Sequence, residues 1–332
     1  MVKKTVLKTA GILVFTLIAS AGITAAGGNG MRDNADKGHA HISADSMVTD
    51  IISHPAFEGF GERLMPRAGR DYSGVPIARV GSLMPYHNYV DPRVVTGALN
   101  RMIDDVNEGV TIFYDIYTDA EKRDDSAKAD TGLFFFRGKP GAPFAVICPG
   151  GGFSYVGSLH EGFPLAAEIG AKGYNAFVIT YRTGGQQRAA EDLAAALSWI
   201  FANAKSLGVG TEDYSLWGGS AGARMAAVIG TDGAARYGGG SLPKPAALVI
   251  AYTGHSAFSK DDPPTFTVAG ERDGIANPAV MERRVRAMAD AGIDTEFHIY
   301  PDTGHGFGLG TGTAAEGWLN DAVRFWEKYM KE

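Results

Sequence analysis

The chain has 332 residues, 45% hydrophobic and 20% charged, the balance of a globular protein with a sizeable core. Its formal net charge is −6 and it has no long basic tract, which excludes a nucleic-acid footprint of the electrostatic kind. A single cysteine excludes an intramolecular disulfide in any compartment.

In chain order, Lys3, Lys4 and Lys8 precede an unbroken apolar or small stretch, 10–23, and Thr24-Ala25-Ala26 then supplies small residues suited to a signal peptidase. The apolar part is shorter than the ~20 residues a spanning helix needs. Residues 1–26 therefore read as a signal peptide. The expectation is an exported protein, periplasmic or extracellular, with no stable membrane insertion after signal removal. An uncleaved N-terminal membrane anchor is the alternative.

Residues 27–110 read as an N-terminal arm packed on the rest. The stretch 27–50 is polar and small, as in a flexible leader, and its His39-Ala40-His41 offers too few ligands for a metal site. From 51 to 95, Phe57, Phe60, Leu64, Met65, Tyr72, Leu83, Met84 and Tyr86 are broken up by Gly and Pro. That is too apolar for disorder and too interrupted for long elements, so an extended segment bordering the active site is expected. Val95, Leu99, Met102, Ile103 and Val106 have helical spacing.

After Gly109 the chain becomes rhythmic. Strands are expected at 111–117, 132–136, 144–148, 176–181, 214–217, 246–252, 265–269 and 296–300, with a polar loop at 119–131. Helical patterns lie between the later strands, one on Leu193, Leu197, Ile200, Phe201 and Ala204. Near-continuous apolar strands alternating with helices predict an α/β fold, a mostly parallel eight-stranded sheet flanked by helices, over 111–332. Cys148 falls inside such a strand, where a thiol is buried and inert.

Ligands of such sheets gather at the carboxyl ends of the strands. There, Gly218-Gly219-Ser220-Ala221-Gly222 sits between a strand and a helix, which is the setting in which G-x-S-x-G exposes a nucleophilic serine. Pro149-Gly150-Gly151-Gly152-Phe153 follows another strand. The N–H groups of Gly151, Gly152 and Ala221 can there form an oxyanion hole. Asp273 follows the 265–269 strand and, with a glycine after it, is preferred over Glu271 as the carboxylate that orients an imidazole. Of eight histidines, His305 is flanked by glycines between the last strand and the last helix, and is the expected general base. His160 and His255 are secondary candidates, and His298, inside a strand, is structural.

The order Ser220, Asp273, His305 is that of an α/β-hydrolase triad. On these motifs and Tyr300-Pro301-Asp302-Thr303-Gly304-His305-Gly306-Phe307, the chain from about 111 to 332 resembles α/β-hydrolases of the esterase/lipase group. It is similar to secreted carbohydrate-esterase-like members, including acetyl-xylan and feruloyl esterase-type proteins. Many of those carry a histidine where Pro149 stands. The resemblance implies a serine esterase acting through an acyl-enzyme, without cofactor or metal, on small-molecule or glycan esters of short acids. Two other readings are an exopeptidase of the prolyl-oligopeptidase kind and a non-catalytic hydrolase-fold binding protein. Roughly 80 arm residues cannot build the propeller common in such peptidases.

Overall fold

The computed structural model describes residues 38–331. The expected signal peptide, 1–26, lies outside the described residues, and among those described no helix is long and apolar enough to cross a membrane. The elements run α1 (Val48–Ile52), α2 (Pro92–Asn107), β1 (Phe113–Tyr114), α3 (Asp119–Asp124), β2 (Gly132–Phe136), β3 (Pro143–Cys148), α4 (Phe163–Ala171) and β4 (Asn175–Thr180). Then follow α5 (Gln186–Leu207), β5 (Gly210–Gly219), α6 (Ala221–Asp232), β6 (Ala247–Ala251), β7 (Thr265–Gly270), α7 (Pro278–Asp290), β8 (Thr295–Tyr300) and α8 (Trp318–Glu327).

The eight strands form one sheet in the order β1-β2-β4-β3-β5-β6-β7-β8. β2 is antiparallel to both β1 and β4, and every pairing from β4 to β8 is parallel. Successive strand residues point to opposite faces, so the apolar runs feed two cores. In β3, Phe144, Val146 and Cys148 pack with α5 and α6, whereas Ala145 and Ile147 join the core containing α4 and α8. Burial on both faces is why these strands read as continuous apolar runs.

The segment before β1 is part of the second core. Val48, Ile51, Phe57, Leu64, Ile77, Val80 and Met84 are fully or almost fully buried in the cluster that also holds Ile147, Val178 and Trp217. α2 starts at Pro92 behind an Asp91 side chain that accepts from the Arg93 N–H, a standard cap for an orphan donor.

Three local expectations change. The 38–47 stretch is not a free leader. Ile42 exchanges N–H and C=O hydrogen bonds with the Asn100 side chain (2.9 and 3.0 Å), and His41 Nε2 lies 2.6 Å from Asp104 Oδ1. These partners lie on α2, far off in sequence, so local composition does not show them. The first strand shrinks to Phe113–Tyr114, because only there does the chain pair with β2. The 119–131 loop contains α3, held by a Thr118–Glu121 capping box, and a 3₁₀ turn over Ser126–Asp130.

α8 closes the sheet through Trp326, which is fully buried beside Trp217 and Tyr174 and donates its indole N–H to the Asp213 carbonyl at 2.7 Å. Trp326→Ala empties a large core site and is expected to cost about 3–5 kcal/mol in urea unfolding. A loss under about 1 kcal/mol would show that this packing is not what closes the sheet.

Candidate active site

β5 passes into α6 through one residue, Ser220, held at φ 53°, ψ −114°. A side chain at that backbone conformation is strained and persists only where its surroundings over-determine it. They do so here. The Ser220 N–H donates to the Ala251 carbonyl at the end of β6 (2.9 Å), and its carbonyl accepts from Arg224 N–H (3.2 Å). Glycines let the turn close. A Cβ on Gly222 would lie 1.8 Å from the Cys148 carbonyl oxygen, and one on Gly218 would lie 2.4 Å from the Gly222 carbonyl carbon.

The loops after β7 and β8 converge on this serine. His305 Nε2 is 2.9 Å from Ser220 Oγ, and His305 Nδ1 is 2.7 Å from Asp273 Oδ2. The other Asp273 oxygen accepts from the N–H groups of Ile275 (2.8 Å) and Ala276 (2.7 Å), which stops the carboxylate rotating. Both His305 and Asp273 are buried, and the Tyr252 ring packs edge-on against the imidazole. A hydroxyl, an imidazole and a fixed carboxylate in this line can move a proton off the hydroxyl and stabilise the imidazolium that forms.

The other candidates lie elsewhere. Glu271 is exposed and accepts from the Asp302 N–H. His298 pairs with Glu296 and packs on Phe266. His255 sits near Arg284, Arg224 and Asp262, and its pKa is pushed down to about 4 by burial and the two guanidinium groups. His160 is buried, with Nε2 3.0 Å from the Gly306 carbonyl oxygen, so it braces the His305 loop from behind. Burial, followed by the neighbouring His87, lowers its pKa to about 4. Cys148 is buried in β3, and burial pushes its thiol pKa up.

After β3, the glycine loop lies against the serine: a Cβ on Gly150 would be 3.0 Å from Ser220 Cβ. The Gly150 carbonyl accepts from Gly157 N–H (2.9 Å), and the Gly151 carbonyl accepts from Ser154 (3.0 Å) and Tyr155 (3.3 Å). In a trans peptide the next N–H points the opposite way, so the N–H groups of Gly151 and Gly152 face away from these anchors. Among the described residues neither has a protein acceptor. The Ala221 N–H opens the first turn of α6, where a helix has no acceptor of its own. These groups can bind a developing oxyanion.

Several neighbours of the site were not foreseen. Glu161 Oε2 accepts from the Gly150 N–H at 2.6 Å, and His87 Nε2 approaches Glu161 Oε1 at 3.1 Å, off the line of a regular hydrogen bond. Asn88 donates from its side chain to the His305 carbonyl (2.8 Å), and the Gly304 N–H donates to the Tyr89 hydroxyl (3.2 Å). Tyr86 stacks on Tyr155 beside Gly152 and is 42% exposed at the mouth. The available sequence signal was Glu161 itself, a carboxylate at the head of an apolar helix.

A family model described as BD-FAE matches residues 137–242, and the prolyl oligopeptidase family model matches residues 250–332. An acetylxylan esterase of Xylanibacter ruminicola is 24% identical over 218 residues, 56% of this chain and 45% of that protein, so the chain spans under half the length of this relative. Among solved structures, an esterase of Thermogutta terrifontis with propionate bound superposes at a TM-score of 0.54, with 19% identity over 61% of this chain and 92% of that one. An acetyl ester-xyloside bifunctional hydrolase from Caldicellulosiruptor lactoaceticus gives a TM-score of 0.53, with 20% identity over 60% and 88%. With the sheet order above, these likenesses define the class of fold: the chain has the α/β-hydrolase fold. The fold is the one shared by esterases of that class.

His160 makes acid stability measurable. Its pKa is about 4 in the folded chain, below the ordinary value of 6.5, so the unfolded chain takes up the proton first. Its contribution is complete above the unfolded value and is lost as the pH falls from 6.5 towards 4. Between pH 7 and pH 5 the loss is about 2 kcal/mol in urea unfolding, and His160→Gln should flatten the profile by that amount. An unchanged slope in the variant would refute the assignment.

Proposed function

We propose that the chain is a serine-dependent carboxylic ester hydrolase acting on short acyl esters, with acylated carbohydrates as the natural class. The observation that carries this reading is the continuous line Ser220 Oγ, His305 Nε2, His305 Nδ1, Asp273 Oδ2, with spacings of 2.9 and 2.7 Å at its two hydrogen bonds. In this reading Ser220 Oγ attacks the ester carbonyl as His305 takes its proton, and Gly151, Gly152 and Ala221 N–H groups bind the oxyanion. Collapse releases the alcohol, which receives the proton from His305, and leaves an acyl-Ser220. Water, deprotonated by His305, then attacks the acyl carbon. The acid leaves and Ser220 recovers its proton.

The steps use side chains and backbone groups of the chain itself, without a cofactor or metal. The named activity of the acetylxylan esterase relative and the propionate in the Thermogutta esterase support a small acyl group. The same reading takes residues 1–26 as an export signal, 27–110 as an arm and 111–332 as the catalytic domain. The partner is a small-molecule or glycan ester rather than a nucleic acid.

The test is hydrolysis of p-nitrophenyl esters from acetate to palmitate. Turnover should be fastest on acetate and fall with chain length. Ser220→Ala should lower kcat by about 10⁶, and Asp273→Asn by about 10⁴ through loss of the correct imidazole tautomer. Equal turnover by wild type and Ser220→Ala would sink the mechanism. The prolyl oligopeptidase match at 250–332 favours a second reading, an exopeptidase. Faster cleavage of aminoacyl p-nitroanilides than of any ester would replace the first reading with that one.

A further inference from the structure

Glu161 is a buried carboxylate to which the proposed chemistry gives no part. Burial alone would raise its pKa, but the His87 and His160 imidazoles and the Gly150 N–H outweigh burial and hold it down at about 2. An ionised group in the interior is costly unless its partners are fixed, and here they are. Oε2 takes the Gly150 N–H at 2.6 Å, and Oε1 faces His87 Nε2 at 3.1 Å. The fit is close: a Cβ on Gly150 or on Gly219 would come within 2.7 or 2.6 Å of Oε2. The carboxylate is thus wedged between the first glycine of the oxyanion loop and the residue before Ser220.

The contacts close into a ring. His87 Nδ1 lies 2.8 Å from the Tyr155 hydroxyl, and that hydroxyl also accepts from the Tyr86 N–H at 3.0 Å. Tyr155 returns to the loop through its own N–H, donated to the Gly151 carbonyl at 3.3 Å. From Gly150 the ring runs through Glu161, His87 and Tyr155 back to Gly151. Two neighbours from the segment before β1 enter it, His87 at Glu161 and Tyr155 and Tyr86 at Tyr155 alone.

We propose that Glu161 and His87 are positioning residues for oxyanion binding. The carboxylate fixes the peptide plane entering Gly150. The direction of the Gly151 and Gly152 N–H groups follows from that plane, and His87 holds the carboxylate in place. Neither residue touches the substrate. The inference rests on the ester hydrolase reading and names the part of that site that preorganises it.

The experiment takes the Ser220-dependent turnover of p-nitrophenyl acetate by the full chain as baseline. It adds Glu161→Gln, His87→Ala and His87→Gln, with hydrogen–deuterium exchange followed over 149–157. Glu161→Gln should lower kcat about 100-fold, the scale of a lost oxyanion donor, with KM within about threefold. His87→Ala should follow it at about 10-fold or more, and His87→Gln, which keeps a donor facing Oε1, should recover most of the rate. Exchange over 149–157 should rise in the two impaired variants and not in α6. A kcat within about threefold of wild type in folded Glu161→Gln overturns the proposal, as does a loss carried by KM alone. If Glu161→Gln does not fold, the His87 pair decides: equal rates for Ala and Gln overturn it. If wild type hydrolyses no ester, the function reading fails, and exchange over 149–157 in His87→Ala still decides the positioning role, an unchanged profile overturning it.

Discussion

A strand that hands over to a helix through one residue leaves that residue nowhere comfortable to go, and this constraint organises the molecule. Ser220 tolerates φ 53° because β5 and α6 meet without side chains at Gly218 and Gly222, and because the end of β6 holds its N–H. That packing needs β3, β5 and β6 parallel and adjacent, which they are. Parallel strands also put their carboxyl ends on one side, so the loops after β3, β7 and β8 can reach the same serine. Were the direction of any of these strands reversed, its loop would open on the opposite edge of the sheet.

Around this point the structure alternates rigid anchors with exposed surface. On the β4 side, Arg182 binds Asp192 and Asp125, and Asp192 also accepts from the Tyr117 hydroxyl at 2.6 Å. This buried group ties the end of β4 to α5 and to the turn after α3. The Gly184 N–H, just beyond it, donates to the Phe153 carbonyl at the far end of the oxyanion loop. The loop is therefore held at its Gly150 end by the Glu161 carboxylate and at its Phe153 end by the Gly184 N–H, two residues beyond the buried Arg182–Asp192 pair. Breaking a buried pair of this kind is costly because one charge is left uncompensated.

The sheet was legible because burial on both faces writes itself as apolar runs; β2 falls on the expected 132–136 residue for residue. β1 was overread, since the polar and aromatic mixture around Tyr114 matches an edge strand whether or not it finds a partner. Ser220, Asp273 and His305 could be read as neighbours because each closes or follows a strand and has glycine beside it, a local signature of an exposed turn. Glu161 and His87 could not. Their pairing depends on how residues 51–91 fold over the sheet, and that stretch has neither a period of two nor one of 3.6 to announce it. The docking of 38–47 on Asn100 escaped for the same reason.

The Asn88 contact with the His305 carbonyl joins residues 217 positions apart. Everything between them must be made before it can form. A chain growing from its N-terminus makes the clamp first and the loop to be clamped last, so the line from Ser220 through His305 to Asp273 can be completed and braced only after residue 305 has been made.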